Sequence, residues 1–138
     1  MNIDSIKNGI VIDHITAGKA MEIYRLLGLD ALDCSVALIK NVASRKTGKK
    51  DIIKIDSDFD VDTDILGYID PFVTVNVIKD GKIAEKKTIE LPSELTNVLN
   101  CKNPRCITSV EQELPHIFKL TDRENRIYRC IYCETRVK

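Results

Sequence analysis

Cys101-Lys102-Asn103-Pro104-Arg105-Cys106 and, after 23 intervening residues, Cys130-Ile131-Tyr132-Cys133 give the last third of the chain a C-x4-C pair and a C-x2-C pair. The interval is long enough for two hairpins to converge, so four thiolates can meet around one tetrahedral zinc ion. Four sulfurs close the coordination shell and leave no position for water or substrate, which makes the expected metal structural. The competing reading of these spacings is two disulfides or four reduced core cysteines. Met1-Asn2-Ile3-Asp4 lacks the basic region and apolar run of a signal peptide, so a reducing, cytoplasmic setting is expected, where disulfides are disfavoured.

Outward from the cysteines, 138 residues can bury one core of good size or a modest core with a small appendage. The 21 basic and 21 acidic residues balance, which excludes the bulk basic field of a nonspecific nucleic-acid binder. Residues 1–100 carry 13 basic and 16 acidic side chains and residues 101–138 carry 8 and 5, so the asymmetry is mild. No apolar stretch approaches the roughly 20 residues needed to span a bilayer.

The N-terminal part alternates β-rich and helical patterns. Gly9–Ile15 reads as a strand. Ala17–Leu27 reads as an amphipathic helix capped by Thr16 and stopped by Gly28. Ser35–Val42 and Asp51–Asp56 read as strands separated by an exposed basic connection, Ala43–Lys50. The acidic run Asp56–Asp64 alternates like a calcium loop, but Val61 stands where the turn requires Gly and Gly67 where a bidentate Glu belongs. It reads instead as the capped start of a helix reaching Leu66 and Tyr68. Phe72–Lys79 and Lys82–Leu91 form a hairpin about Asp80-Gly81, and Ser93–Asn100 reads as a short helical connection. The order β-α-β-β-α-β with one added strand predicts an α+β protein. Its first part is a ferredoxin-like sandwich with two helices on one sheet face and an open apolar face suited to dimerisation. A small all-β, four-cysteine, zinc-ribbon-like domain follows, with the boundary placed between residues 95 and 96.

No phosphate-binding glycine loop, nucleophile elbow or zinc-protease motif occurs. Cys34 reads as a small core residue. Asp13-His14 and Lys54 interrupt apolar strands, and Lys86 lies on the returning hairpin strand opposite Thr74-Val75-Asn76. Lysines on adjacent strands suit triphosphate oxygens, while Asp13, His14 and Asn76 suit base and sugar hydrogen bonds. Two rival classes are a zinc-ribbon module binding nucleic acid or protein through Arg105, Arg123, Arg126 and Arg129, and a small enzyme using Cys34 or His14.

Taken together, Val11-Ile12-Asp13-His14-Ile15, Gly48-Lys49-Lys50-Asp51-Ile52-Ile53-Lys54-Ile55, Thr74-Val75-Asn76, Leu91-Pro92 and the cysteine quartet resemble, in order and spacing, the regulatory chain of aspartate carbamoyltransferase. The resemblance implies a noncatalytic subunit with an N-terminal allosteric nucleotide-binding domain and a C-terminal domain holding one structural Zn2+. It implies regulatory homodimers that join catalytic trimers, with CTP inhibiting pyrimidine biosynthesis, ATP activating it, and UTP as a further effector. Asp13, His14, Lys54 and Lys86 match the family's main nucleotide contacts. Asn76, Ile6, Val11 and Ile83 match its secondary ones, and Cys101, Cys106, Cys130 and Cys133 match its metal ligands. Gly81 departs from the pattern, because the family can carry Tyr there.

Overall fold

The computed structural model describes residues 6–45 and 48–137. Met1–Asp4, from which the absence of a leader was read, and residues 46 and 47 of the basic connection lie outside the described residues. The chain divides into two compact units, residues 1–90 and residues 91–138.

In the first unit, β1 (Gly9–Thr16), α1 (Ala20–Leu26), β2 (Val36–Ser44), β3 (Gly48–Ile55), α2 (Thr63–Ile69), β4 (Thr74–Lys79) and β5 (Lys82–Thr88) follow in chain order. The strands form one antiparallel sheet in the order β2-β3-β1-β4-β5. Alternation sets its two faces. Ile10 and Ile12 of β1 stand beside Ile55 and Ile53 of β3 and beside Val77 and Val75 of β4. Of these, all but the half-buried Val77 are buried, packing with Ala20, Ile23, Leu66 and Ile69 into a single core under the helices. Each fully buried Ile or Leu contributes about 1.5–3 kcal/mol. Gly9 is required by close approach, since a Cβ there would collide with the Ile55 carbonyl oxygen.

Several elements differ from the sequence reading for identifiable reasons. Thr16 does not cap α1; it remains in β1 beside Lys50, and the helix begins after a turn through Gly18, with Lys19 as its N-cap. The expected exposed connection Ala43–Lys50 is mostly strand, because Val42, Ala43 and Ser44 pair with Lys50, Lys49 and Gly48. The Gly28 stop and the capped start of α2 are as expected. Gly28 has φ 68°, and the Asp62 carboxylate accepts from the amides of Asp64 and Ile65. Asp80 and Gly81, with φ of 53° and 75°, make the β4–β5 turn.

Two buried aspartates fasten the loops to the sheet. Asp51 on β3 accepts the amides of Gly18, Ala20 and Asn41, at 3.0, 3.4 and 3.0 Å. Asp70, after α2, accepts those of Thr16 and Phe72, at 2.6 and 3.1 Å. Both are essentially inaccessible, so the backbone amides take the place of water around them.

In the second unit, β6 (Glu94–Thr96), β7 (Ile117–Asp122) and β8 (Ile127–Cys130) form a small antiparallel sheet. The helical connection expected at Ser93–Asn100 is instead strand β6, because Leu95 is buried opposite Phe118 in the sheet. Leu95, Phe118 and Tyr128 are the fully buried large side chains of this unit, and the Tyr128 hydroxyl donates to the Pro92 carbonyl at 2.5 Å.

Asp51→Ala would leave three amides without their acceptor, that of buried Ala20 among them, and is expected to destabilise the first unit by about 2 kcal/mol. Urea denaturation followed on residues 1–90 reads this out, and an unchanged midpoint would show that Asp51 does not hold the loops.

Candidate functional site and metal centre

The site residues read from the sequence converge on the sheet face away from the helices. Lys54 pairs with Val11, Val11 with Asn76, and Asn76 with Lys86, so these four residues form one row across β3, β1, β4 and β5. Three inter-strand steps of about 4.8 Å put the two lysine Cα atoms roughly 14 Å apart, with the shorter side chains between them. The Asn76 side chain is nearly buried, and its Oδ1 has no hydrogen-bond partner. This buried acceptor, in a row with two lysines, is free to take a donor from water or from a ligand.

Asp13 and His14 owe their common placement to a bulge. Ile12 and Ile15 are both fully buried although two residues separate them, and the register shifts between them, with His14 at φ 59°. Strict alternation would send one of the pair into the core; the bulge leaves both half-exposed. Asp13 forms a 2.9 Å ion pair with Lys50 and accepts the His14 amide at 2.7 Å, while the His14 Nδ1 lies 3.0 Å from the Thr74 hydroxyl. Burial pushes the Asp13 carboxyl up, but the Lys50 hydrogen bond and the His14 amide outweigh it and hold the group below its ordinary value. The sign follows from the depression. This pair stabilises the fold above the ordinary carboxylate range, and its contribution is lost as pH falls through the lowered pKa.

Along the strands, the face changes on either side of this row. Ile83 pairs with Ile78, which also neighbours Gly9, and Ile6 lies over Gly9. At the opposite end a cleft of ≈ 610 Å³ is bounded by His14, Thr74, Thr16, Phe72, Ser44 and Lys49, among others. The open face is therefore mixed, with lysines, Asp13 and Asn76 among aliphatic side chains, and not the apolar face expected from the sequence. Lys50 and Thr74 were missed as site residues. The signal was alternation along β3, since Lys50, Ile52 and Lys54 share one face.

In the second unit the Sγ atoms of Cys101, Cys106, Cys130 and Cys133 all lie within 4.8 Å of one another. Cys101 and Cys133 are 3.5 Å apart and Cys106 and Cys130 3.7 Å, and all four are unpaired as disulfides. A tetrahedral ion with metal–sulfur bonds of about 2.3 Å has sulfur–sulfur edges of about 3.8 Å, so the quartet fits the ion and the disulfide alternative falls. Burial and proton sharing with Cys133, Cys106 and Cys130 push the Cys101 thiol up to about 12. Against burial, the Thr135 hydroxyl and amide, the Asn103 side chain and Cys101 draw Cys133 down to about 6. At neutral pH the cluster keeps protons that a metal must displace, so metal binding releases protons and weakens as pH falls. Cys34, the fifth cysteine, is half-buried against the first unit's core, as expected.

Sheet face and thiolate cluster together define a two-part protein, in which one unit presents an open face of mixed polar and aliphatic side chains and the other gathers four thiols suited to a metal ion. Residues 1–90 match the family model described as the aspartate carbamoyltransferase regulatory chain, allosteric domain, and residues 93–138 match that of its metal binding domain. A regulatory chain from Clostridium botulinum is 54% identical over 134 residues, 97% of this chain and 92% of the relative. One from Clostridium tetani is 53% identical over 135 residues, 97% and 94% of the two chains. One from Bifidobacterium longum is 43% identical over 138 residues, 100% and 99%. The chain belongs to the family of aspartate carbamoyltransferase regulatory chains and is a noncatalytic subunit with an allosteric and a metal-binding domain. Among the described residues no helix is long and apolar enough to cross a membrane.

Removing the metal with a chelator is expected to unfold residues 91–138 while residues 1–90 keep their sheet. Amide exchange resolved along the chain measures this; full protection of β7 and β8 in the metal-free chain would contradict it. The apparent affinity for an added divalent metal, read by competition with a chelator, should also fall from about pH 8 to about pH 6.

Proposed function

We propose that the open face of the first unit binds nucleoside triphosphates, with CTP and ATP competing for one site and UTP as a further effector, and that the bound nucleotide biases catalytic trimers of aspartate carbamoyltransferase. The observation that carries this reading is the row Lys54–Val11–Asn76–Lys86 with its orphaned Asn76 Oδ1. The two lysines suit phosphate oxygens, Asn76 takes a base or sugar donor, and Asp13 and His14 supply polar contacts towards the cleft. Ile6, Val11 and Ile83 offer aliphatic surface to the base. A nucleotide shifts the catalytic equilibrium only by its difference in affinity for the two quaternary states, typically about 1–3 kcal/mol.

The four cysteines hold one structural Zn2+, which crosslinks the loops of the second unit and supplies no catalysis. Ile107, Val110, Ile131 and Tyr132, exposed in the segments that carry these cysteines, provide apolar surface for the catalytic chain. Regulatory chains pair through their nucleotide domains. The β2 edge, with half-buried Val36, Leu38, Ile39 and Val42, is better suited to such pairing than β5, which is exposed throughout and carries Lys82, Lys86 and Lys87. The nucleic-acid reading loses support because the Arg123 and Arg129 guanidiniums donate to the carbonyls of Leu91 and Glu134.

Calorimetric titration of CTP into the zinc-loaded chain, with ATP as competitor, is expected to show saturable binding of both at one site. Lys54→Ala and Lys86→Ala should each weaken binding by about 10- to 100-fold, the worth of one charged hydrogen bond, and leave assembly with catalytic trimers intact. Unchanged affinity in both variants, or loss of assembly, would contradict the assignment.

A further inference from the structure

The two cysteine pairs share a feature beyond the ligands themselves. The second cysteine of each pair is followed two residues later by threonine, as Cys106-Ile107-Thr108 and Cys133-Glu134-Thr135. Each hydroxyl lies against the sulfur of its own cysteine, both at 3.1 Å. Thr108 is buried, so its hydroxyl must find its partner inside the protein. The Thr135 oxygen accepts from the Asn103 Nδ2 at 3.1 Å and, in the metal-free cluster, from the Cys133 thiol; once metal binding has removed the thiol proton, the hydroxyl is the only one of the pair with a proton to give, and it donates to the thiolate. Asn103 is itself fixed, its Oδ1 accepting the Arg105 amide at 3.0 Å and its carbonyl accepting the Ser109 hydroxyl at 2.9 Å. A residue of the first cysteine loop thus orients a hydroxyl of the second.

Four thiolates on one divalent ion carry a net charge of −2, and that charge is poorly solvated where Cys106 and Cys130 are buried. Hydroxyl donors spread the charge without competing for the metal. We infer that Thr108 and Thr135, the latter oriented by Asn103, are positioning residues of the metal centre. By donating to Cys106 and Cys133 they set how long the metal is retained and how readily a chelator or an electrophile reaches those two sulfurs. The inference rests on the four-cysteine metal reading. Outer hydrogen bonds of this kind change metal affinity by about 10- to 100-fold when removed.

The test is made on the full chain loaded with Zn2+ alone, following transfer of the metal to a chromogenic chelator in wild type, Thr108→Val, Thr135→Val and both Thr→Ser variants. Each Val variant, isosteric but without the hydroxyl, is expected to release zinc about tenfold faster, and each Ser variant at close to the wild-type rate. With Co2+ in place of zinc, the sulfur-to-metal charge-transfer band should move to longer wavelength in the Val variants, because a sulfur without its donor holds its electrons less tightly. Unchanged release and an unchanged band in folded Val variants would overturn the inference. Ser variants that behave like Val would also overturn it, by showing that the threonine methyl packs and the hydroxyl does nothing. Failure of the wild-type chain to bind Zn2+ at all would remove the metal centre itself, a result distinct from both.

Discussion

The disposition of the sheet face depends on one constraint, the simultaneous burial of Ile12 and Ile15 with two residues between them. A regular strand cannot satisfy it. The bulge that does places Asp13 and His14 together on the face away from the helices, and it is held from behind by buried carboxylates. Asp51 gathers the amides of Gly18, Ala20 and Asn41, and Asp70 those of Thr16 and Phe72. The walls of the cleft are thus fixed by groups that never face it. On the proposed nucleotide reading, such a face is preorganised, and less of the ligand's binding free energy goes into ordering side chains.

The second unit obeys a different logic. Residues 91–138 contain few large buried apolar side chains, and a unit of this size lies near the limit at which a hydrophobic core suffices. The four sulfurs supply the missing crosslinks. The arrangement also suits a subunit that must present a docking surface, because a metal centre holds short loops in place without requiring them to be buried.

Much of this was legible in the sequence, and unevenly so. The cysteine quartet was plain because ligand spacing is local, and the Asp80-Gly81 hairpin was plain because its turn chemistry is. Strand and helix order followed from periodicity. The bulges were not legible: His14 and Asn41 adopt positive φ without being glycine, and only the burial demands of their neighbours explain it. Strand β6 was missed because three residues carry too little pattern to outweigh the helical look of Ser93–Asn100; pairing with β7 decides it. The partnership of Lys50 with Asp13 depends on register across two strands, which no single segment shows. The same holds for Asp51, whose amide partners Gly18, Ala20 and Asn41 lie in other elements, and for the bond of Asp70 to the Thr16 amide.

The measurement that reaches the central claim most directly is an amide chemical-shift titration of the zinc-loaded chain with CTP. The account predicts that shifts concentrate at Val11–His14, Lys50–Lys54, Thr74–Asn76 and Lys86, on one face of one sheet. Shifts confined to the second unit, or scattered with no focus on that row, would contradict it.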